Sequence, residues 1–247
     1  MTPTLGEIRV LADPAALAEA GAALLAETAA AAAGRRCVIG LAGGSTPRPL
    51  YQRLAAPPYR TGIDWAAIDC VLGDERFVAA DDPDSNLGMI RTALFDRLDG
   101  PKPRIHPVPF AGLTVAQAAQ EYERTLHALH GTDPPDPAHP FFDLCLLGMG
   151  DDGHTASLLP GQPLLLEERD RWVLPVTQGR PEPRVTLTYP VLDSARLIAI
   201  VVSGAGKRAM LDAIWSGRER AAPAARLRPT GRLLWLVDRA AAGSWAG

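Results

Sequence analysis

The sequence predicts an α/β fold in which a mostly parallel sheet is flanked by helices. Three observations carry that prediction. Apolar runs of strand length recur at Cys37–Leu41, Ile68–Leu72, Phe142–Leu147 and Leu197–Val202, the pattern of strands buried on both faces. Stretches of helical periodicity lie between them, and strand alternating with helix is the signature of a parallel sheet. Glycine-rich polar turns follow directly on three of these strands, where an open parallel sheet binds its ligands.

Taken in order, Glu7–Leu11 (EIRVL) reads as a first strand. Asp13-Pro14 then supplies an N-cap and a proline at the first helical position, opening an alanine-rich helix to about Ala33 with leucines at Leu17, Leu24 and Leu25. The strand Cys37–Leu41 ends in Gly43-Gly44-Ser45-Thr46-Pro47, and Pro47 opens a helix over Arg48–Ala55. Ile68–Leu72 is the next strand, running into Gly73-Asp74-Glu75-Arg76-Phe77. A loop through Asp81, Asp82, Pro83, Asp84, Ser85 and Asn86 leads to a helix from Leu87 to about Leu98. Pro101–Pro109 is a proline-punctuated connection enclosing a short strand around Ile105. Thr114–His130 is a helix with Val115, Ala118, Ala119, Tyr122 and Leu126 on one face, followed by a loop over Gly131–Pro140. His127 and His130, spaced i, i+3 without a third ligand nearby, read as surface residues. After the strand ending at Leu147, Thr155–Leu159 is expected to begin a short helix that Pro160-Gly161 stops. Strands follow at Trp172–Val176 and Arg184–Tyr189, separated by a turn at Gly179–Pro183. Leu197–Val202 is strongly apolar and leads into Ser203-Gly204-Ala205-Gly206-Lys207 and a helix through Ile214. Leu233–Val237 is the last strand, and the Ala/Gly tail beyond it is expected to fray.

Composition narrows the function. The 247 residues fit one domain spanning 1–247, with 47% hydrophobic and 21% charged residues, ordinary values for a globular chain. A net charge of -3 argues against a polyanion binder, so nucleic acid is not an expected partner. Cys37, Cys70 and Cys145 each lie in an apolar run, as buried thiols in a reducing compartment do. No signal peptide is evident in MTPTLGEIRVLADPAALAEA, and no apolar stretch approaches the ~18 residues of a membrane span. A cytoplasmic protein with no membrane association is expected. Arginine outnumbers lysine 23 to two, so a lysine kept in a glycine turn, Lys207, is informative.

The chemistry concentrates in Gly148-Met149-Gly150-Asp151-Asp152-Gly153-His154. Histidine exchanges protons near neutral pH without a large shift, and Asp152, two residues away, can orient the ring. A helix-capping histidine also fits, but the glycine and aspartate setting favours the proton-exchanging one. At Gly43–Pro47, glycines permit close backbone approach, Ser45 and Thr46 bring hydroxyls, and a helix start offers free N–H groups to an anion. It is not a Walker loop, because the lysine is missing. Asp74, Glu75 and Arg76 follow a buried strand at the ligand edge; Arg76 reads as functional, whereas Asp81, Asp82 and Asp84 read as a solvated loop.

Competing motifs are weaker. Gly204-x-Gly206-x-x-Ala209 matches a dinucleotide fingerprint, but only one βαβ unit remains before the chain ends, and Asp238 falls later than the ~20 residues such a site requires. There is no G-x-S-x-G elbow, no cysteine pair at zinc spacing and no H-E-x-x-H. Neither a metal nor a cofactor is expected.

Four segments together resemble the 6-phosphogluconolactonase family: LAGGSTP (Leu41–Pro47), GDERFV with a later SN (Gly73–Val78, Ser85-Asn86), GMGDDGHTASLLPG (Gly148–Gly161), and RVTLT followed by GAGK. They are similar at lower fidelity to the glucosamine-6-phosphate deaminases of the same fold, whose histidine loop usually reads GHIAFNEP. Here the span is GHTASLLP, without that glutamate. Leu159 and Ala79 depart from the lactonase pattern at positions that carry no chemistry. The resemblance implies a modified Rossmann-like fold and hydrolysis of 6-phospho-D-glucono-1,5-lactone, a small phosphorylated sugar lactone, by a monomer or small homo-oligomer. It implies His154 as general base with Asp152, and the 6-phosphate held by Ser45, Thr46, Arg184 and Lys207. Gly43, Gly44, Asp74 and Gly153 complete the substrate site, and the oxyanion falls to glycine-loop N–H groups or Arg76. A deaminase-isomerase and a non-catalytic sugar-phosphate sensor are the alternatives.

Overall fold

The computed structural model describes residues 6–132 and 138–246. Seven strands form a parallel sheet: β1 (Glu7–Leu11), β2 (Cys37–Leu41), β3 (Ile68–Leu72), β5 (Arg104–His106), β6 (Leu144–Leu147), β9 (Leu197–Val202) and β10 (Arg232–Asp238), in the order β1-β10-β9-β6-β2-β3-β5. β4 (Asp74–Arg76), β7 (Val173–Val176) and β8 (Arg184–Leu187) form a separate antiparallel sheet in the order β4-β8-β7. The expected parallel α/β sheet is therefore present, with a small second sheet attached to it.

Every residue of β9 is buried, and alternate side chains serve opposite layers. Ile198, Ile200 and Val202 join one apolar core, with Tyr122, Leu126, Trp172 and Trp235. Leu197, Ala199 and Val201 join the other, with Leu17, Leu25, Leu50 and Tyr51. The period of two along a strand makes one apolar run serve both layers, which is why the run shows no polar alternation.

The order of the strands positions the site. From β2 the chain proceeds outward to β3 and β5; from β6 it proceeds the other way to β9 and β10. β2 and β6 are neighbours, with Gly40 opposite Cys145, so the winding direction reverses between them. A crevice opens beyond the carboxyl ends of two strands that diverge in this way. Leu41 and Leu147 end those strands, and the glycine turns at Gly43 and Gly148 begin there.

The amino edge of the sheet is closed by charge pairs. The fully buried Asp69 meets Arg36 and accepts from His106 at 2.8 Å; burial works against its carboxylate, but these partners hold it below the usual range. Asp143 pairs with Arg35 and Arg196 and accepts the Val38 N–H at 3.0 Å. The three cysteines are free and buried, as expected, and burial pushes all three thiols up.

Several expectations are corrected. Thr155–Leu159 is not a helix: Thr155 and Leu158 bridge across a tight turn, and Ala156 sits at φ 48°. Ser157 is drawn away from helical geometry by Asp74 and Thr186, with its hydroxyl 2.6 Å from the Asp74 carboxylate. Asp74–Arg76, expected only as a charged run after the strand, forms a strand of its own, and the expected strand Arg184–Tyr189 ends at Leu187 because Tyr189 starts a helical turn. The helix after Asn86 stops at Ala93 and continues as a 3-10 turn over Phe95–Arg97. His127 and His130 are not surface residues, since both rings pack against Trp172. The tail forms helical turns, with Ala241 and Ala242 buried and Trp245 edge-on to Trp215. Part of the loop expected over Gly131–Pro140, and the first five residues of the chain, lie outside the described residues. Among the described residues no helix is long and apolar enough to cross a membrane.

Candidate active site

A cleft of about 200 Å³ lies at the reversal point between β2 and β6. Four segments line it. The β2 turn brings Gly43, Gly44, Ser45 and Thr46; the start of the small sheet brings Asp74 and Arg76; the β6 turn brings Gly148, Met149, Gly150 and His154; Arg184 and Lys207 close the remaining side. All the sequence-nominated residues except Asp152 and Gly153 thus line one cavity. A larger groove of about 490 Å³ runs along Arg48, Asp81, Asp82, Arg91 and Arg97. It contains none of the nominated residues, and its solvated acids match the expectation for Asp81 and Asp82.

His154 is fixed by its own loop. Gly150 N–H donates to the His154 carbonyl at 2.9 Å, and Gly153 N–H returns to the Gly150 carbonyl at 3.0 Å. The Asp152 carboxylate accepts the His154 backbone N–H at 3.1 Å and lies 2.5 Å from Nδ1. Burial penalises this carboxylate, but the bonds from His154 and then Arg180 outweigh it and hold Asp152 at about 2. An ionised carboxylate can only accept, so the proton between the two groups belongs to Nδ1, and in the neutral ring the lone pair is on Nε2. Asp152 therefore acts from behind the ring rather than in the cavity. Gly153, at φ 79°, packs under Ala222 and Met210 and supports the loop without lining the cleft.

Gly150 has a steric reason to be glycine. A Cβ there would lie 2.0 Å from the His154 ring and 2.7 Å from Asp152, in the space the pair occupies. At Gly43 a Cβ would fall 1.8 Å from the Asn86 carboxamide. The turn approaches Asn86 that closely because Asn86 is anchored, donating from Nδ2 to the Asp74 carbonyl at 2.9 Å.

Glu75 is the anchor beneath. Its buried carboxylate accepts the N–H groups of Arg76, Asn86 and Leu87 at 2.7–2.8 Å, capping the helix Asn86–Ala93. Burial nonetheless raises it above the ordinary range, since the three N–H groups only partly offset desolvation. Asp74 is also buried and holds the Ser157 hydroxyl, tying the small sheet to the histidine loop.

Arg76 and Arg184 face each other across β4 and β8. Like charges directly opposite repel. The Nε of each is buried and has no hydrogen-bond partner among the described residues. Arg184 is lowered from its ordinary value by burial first, with Arg76 and Arg180 adding repulsion and Asp74 relieving it. Lys207 reaches Asp151 at 2.5 Å from the turn after β9. Such a corner is suited to an anion that supplies the missing acceptors.

Sequence reasoning missed Asn86 as a lining residue and Arg180 beside the dyad. Asn86 was visible as the end of an N-cap segment, but its lateral reach to Asp74 depends on Glu75 capping. Arg180 carried no signal, being an arginine in a proline-rich turn of an arginine-rich chain.

The model of a family described as glucosamine-6-phosphate isomerases/6-phosphogluconolactonase matches residues 12–235. A 6-phosphogluconolactonase of Nostoc sp. is 43% identical over 208 residues, 83% of each chain. The human 6-phosphogluconolactonase is 39% identical over 97% of this chain and 94% of its own. Among solved structures, 6-phosphogluconolactonase from Trypanosoma brucei superposes with a TM-score of 0.82 at 31% identity, covering 97% of this chain and 98% of that one.

Proposed function

The chain belongs to the glucosamine-6-phosphate isomerase/6-phosphogluconolactonase family, and we propose that it hydrolyses 6-phospho-D-glucono-1,5-lactone to 6-phospho-D-gluconate, the second step of the oxidative pentose phosphate pathway. The observation that carries this reading is one cavity holding a histidine backed by an ionised aspartate, together with a cationic corner where the buried Nε of Arg76 and of Arg184 have no acceptor among the described residues.

The 6-phosphate takes that corner. Arg184 offers a planar fork to two phosphate oxygens, Lys207 a point charge, and Ser45 and Thr46 their hydroxyls. Arg76, opposite Arg184, adds positive charge on the same side. The lactone ring then extends towards His154. Nε2 takes a proton from water as its oxygen attacks C1, and the carbonyl oxygen becomes an oxyanion. N–H groups of the glycine turns, or Arg76, stabilise it. The intermediate collapses with cleavage of the C1 to ring-oxygen bond, and the ring oxygen takes the proton from Nε2. Asp152 keeps Nδ1 protonated and balances the positive ring between the two transfers. A general base of this kind contributes ~10²–10⁴-fold. A lactone carbonyl is reactive enough that neither a metal nor a covalent nucleophile is required.

The reading treats 1–247 as one catalytic domain working in the cytoplasm, in keeping with three reduced, buried thiols. The family also contains amino-sugar-phosphate isomerases, so the test pairs two substrates. Lactone generated in situ should disappear well above its spontaneous rate, while glucosamine 6-phosphate should release no ammonia. Ammonia release without lactone hydrolysis would assign the chain to the isomerase branch. Binding of 6-phosphogluconate with neither activity would make it a sensor.

A further inference from the structure

Arg180 lies in the turn between β7 and β8, on a different segment from the histidine loop. The turn is held in place: Gln162 donates to the Gln178 carbonyl at 3.0 Å, and Phe77 N–H donates to the Pro183 carbonyl at 2.8 Å. Pro181 and Pro183 stiffen it further. From there the Arg180 guanidinium donates to Asp152 Oδ2 at 3.0 Å, and the same Nη2 stands 3.0 Å from His154 Nδ1.

We propose that Arg180 is a positioning residue for the dyad, locking the Asp152 carboxylate so that it accepts from Nδ1 and leaves Nε2 as the proton acceptor. Asp152 is substantially exposed, its side chain at 43%. Held only by His154, its carboxylate can rotate and meet water instead. With Oδ1 on His154 and Oδ2 on Arg180, both oxygens are committed, and rotation would break two contacts at once. With the proton on Nδ1, the approach of Nη2 to Nδ1 sets two donors face to face, so it is the Arg180 bond to Asp152 Oδ2, and not that approach, that favours this tautomer. Other charged groups around the cleft are Asp74, Arg76, Arg184 and the Lys207–Asp151 pair, but none has a hydrogen bond or ion pair to Asp152. The inference rests on the lactonase reading for its kinetic test only, because the tautomer can be observed without turnover.

The experiment compares the unaltered protein with Arg180→Gln and Arg180→Lys, measuring kcat and KM on lactone made in situ and the ¹⁵N resonances of the His154 ring. The expected result for Arg180→Gln is a kcat about 10–100-fold lower, the size of a small misplacement of a reacting group. KM should be nearly unchanged, and the ring signals should shift from one tautomer to a mixture. Arg180→Lys, which restores one donor, should recover part of the kcat and of the single tautomer. Arg180→Gln with normal kcat and an undisturbed tautomer would overturn the proposal. So would a loss confined to KM, which would make Arg180 a substrate contact. If the unaltered protein hydrolysed no lactone, the functional reading would fail, while the ring spectra would still decide the role of Arg180.

Discussion

Arg184 and Lys207 come from segments separated by a full strand, yet both face the cleft with Arg76. The buried Nε of each arginine has no acceptor among the described residues, which suits this corner to an anion. Arg184→Ala and Lys207→Ala should each raise KM for the phosphorylated lactone about 10-fold or more, the range of a lost charge-assisted bond. Hydrolysis of unphosphorylated gluconolactone should change far less, and equal losses on both substrates would show that the pair does not read phosphate. These residues were legible in the sequence because each belongs to a motif beside a strand end. Asp152 was legible as a partner of His154, whereas its position behind the ring needed coordinates. Arg180 was not legible, because a contact across 26 residues has no local pattern.

At the scale of elements, the strands of the large sheet were readable from their apolar runs, and the turns from their glycines. The small sheet was not. β4 has only three residues, two of them buried acids, and it pairs with a strand more than a hundred residues later. Strand signals in sequence come from apolar content, so a short strand made of Asp74, Glu75 and Arg76 carries none. The histidine loop misled for a related reason: Thr155–Leu159 has helical composition, but Ser157 is bound by Asp74 and Thr186, and tertiary bonds override propensity. The loop's steric design yields a prediction. Gly150 has no left-handed φ, so alanine is allowed by its backbone and excluded only by His154 and Asp152. Gly150→Ala should therefore lower kcat by ~10²-fold or more, the contribution of the general base, while thermal unfolding shifts little. Wild-type turnover in that variant would show that the ring tolerates displacement.

For the whole molecule, the reversal of winding between β2 and β6 creates the crevice, and the cores on the two faces hold it rigid. One buried acid works against that stability. Burial pushes Asp193 up to about 6, despite the Arg228 N–H and the nearby Arg228 and Arg169 cations. In the unfolded chain the same group titrates near ~3.9. A raised folded value means that the native state holds a proton the unfolded chain has already lost. Stability therefore falls as pH rises from about 4 to about 6, and the penalty is complete above that. Asp193→Asn can still accept from Arg228 N–H but cannot ionise. It should raise Tm at pH 7.5 by roughly 2–4 °C, the effect of about 1 kcal/mol in a chain of this length, and much less at pH 4. A gain that is equal at both pH values, or a loss at pH 7.5, would mean that ionisation of Asp193 carries no cost.

In the proposed reaction His154, backed by Asp152, takes the proton from water at a lactone carbonyl held by its distant phosphate. The most direct measurement is turnover of 6-phosphogluconolactone by His154→Asn, with lactone generated in the cuvette and the spontaneous rate subtracted. Asparagine retains the size and polarity of the ring edge but cannot accept a proton at neutral pH. The kcat should fall by ~10²–10⁴-fold, with KM close to that of the unaltered protein. A variant that turned over lactone at a near-normal kcat would contradict it, leaving His154 a structural member of its loop and the water activated by another group.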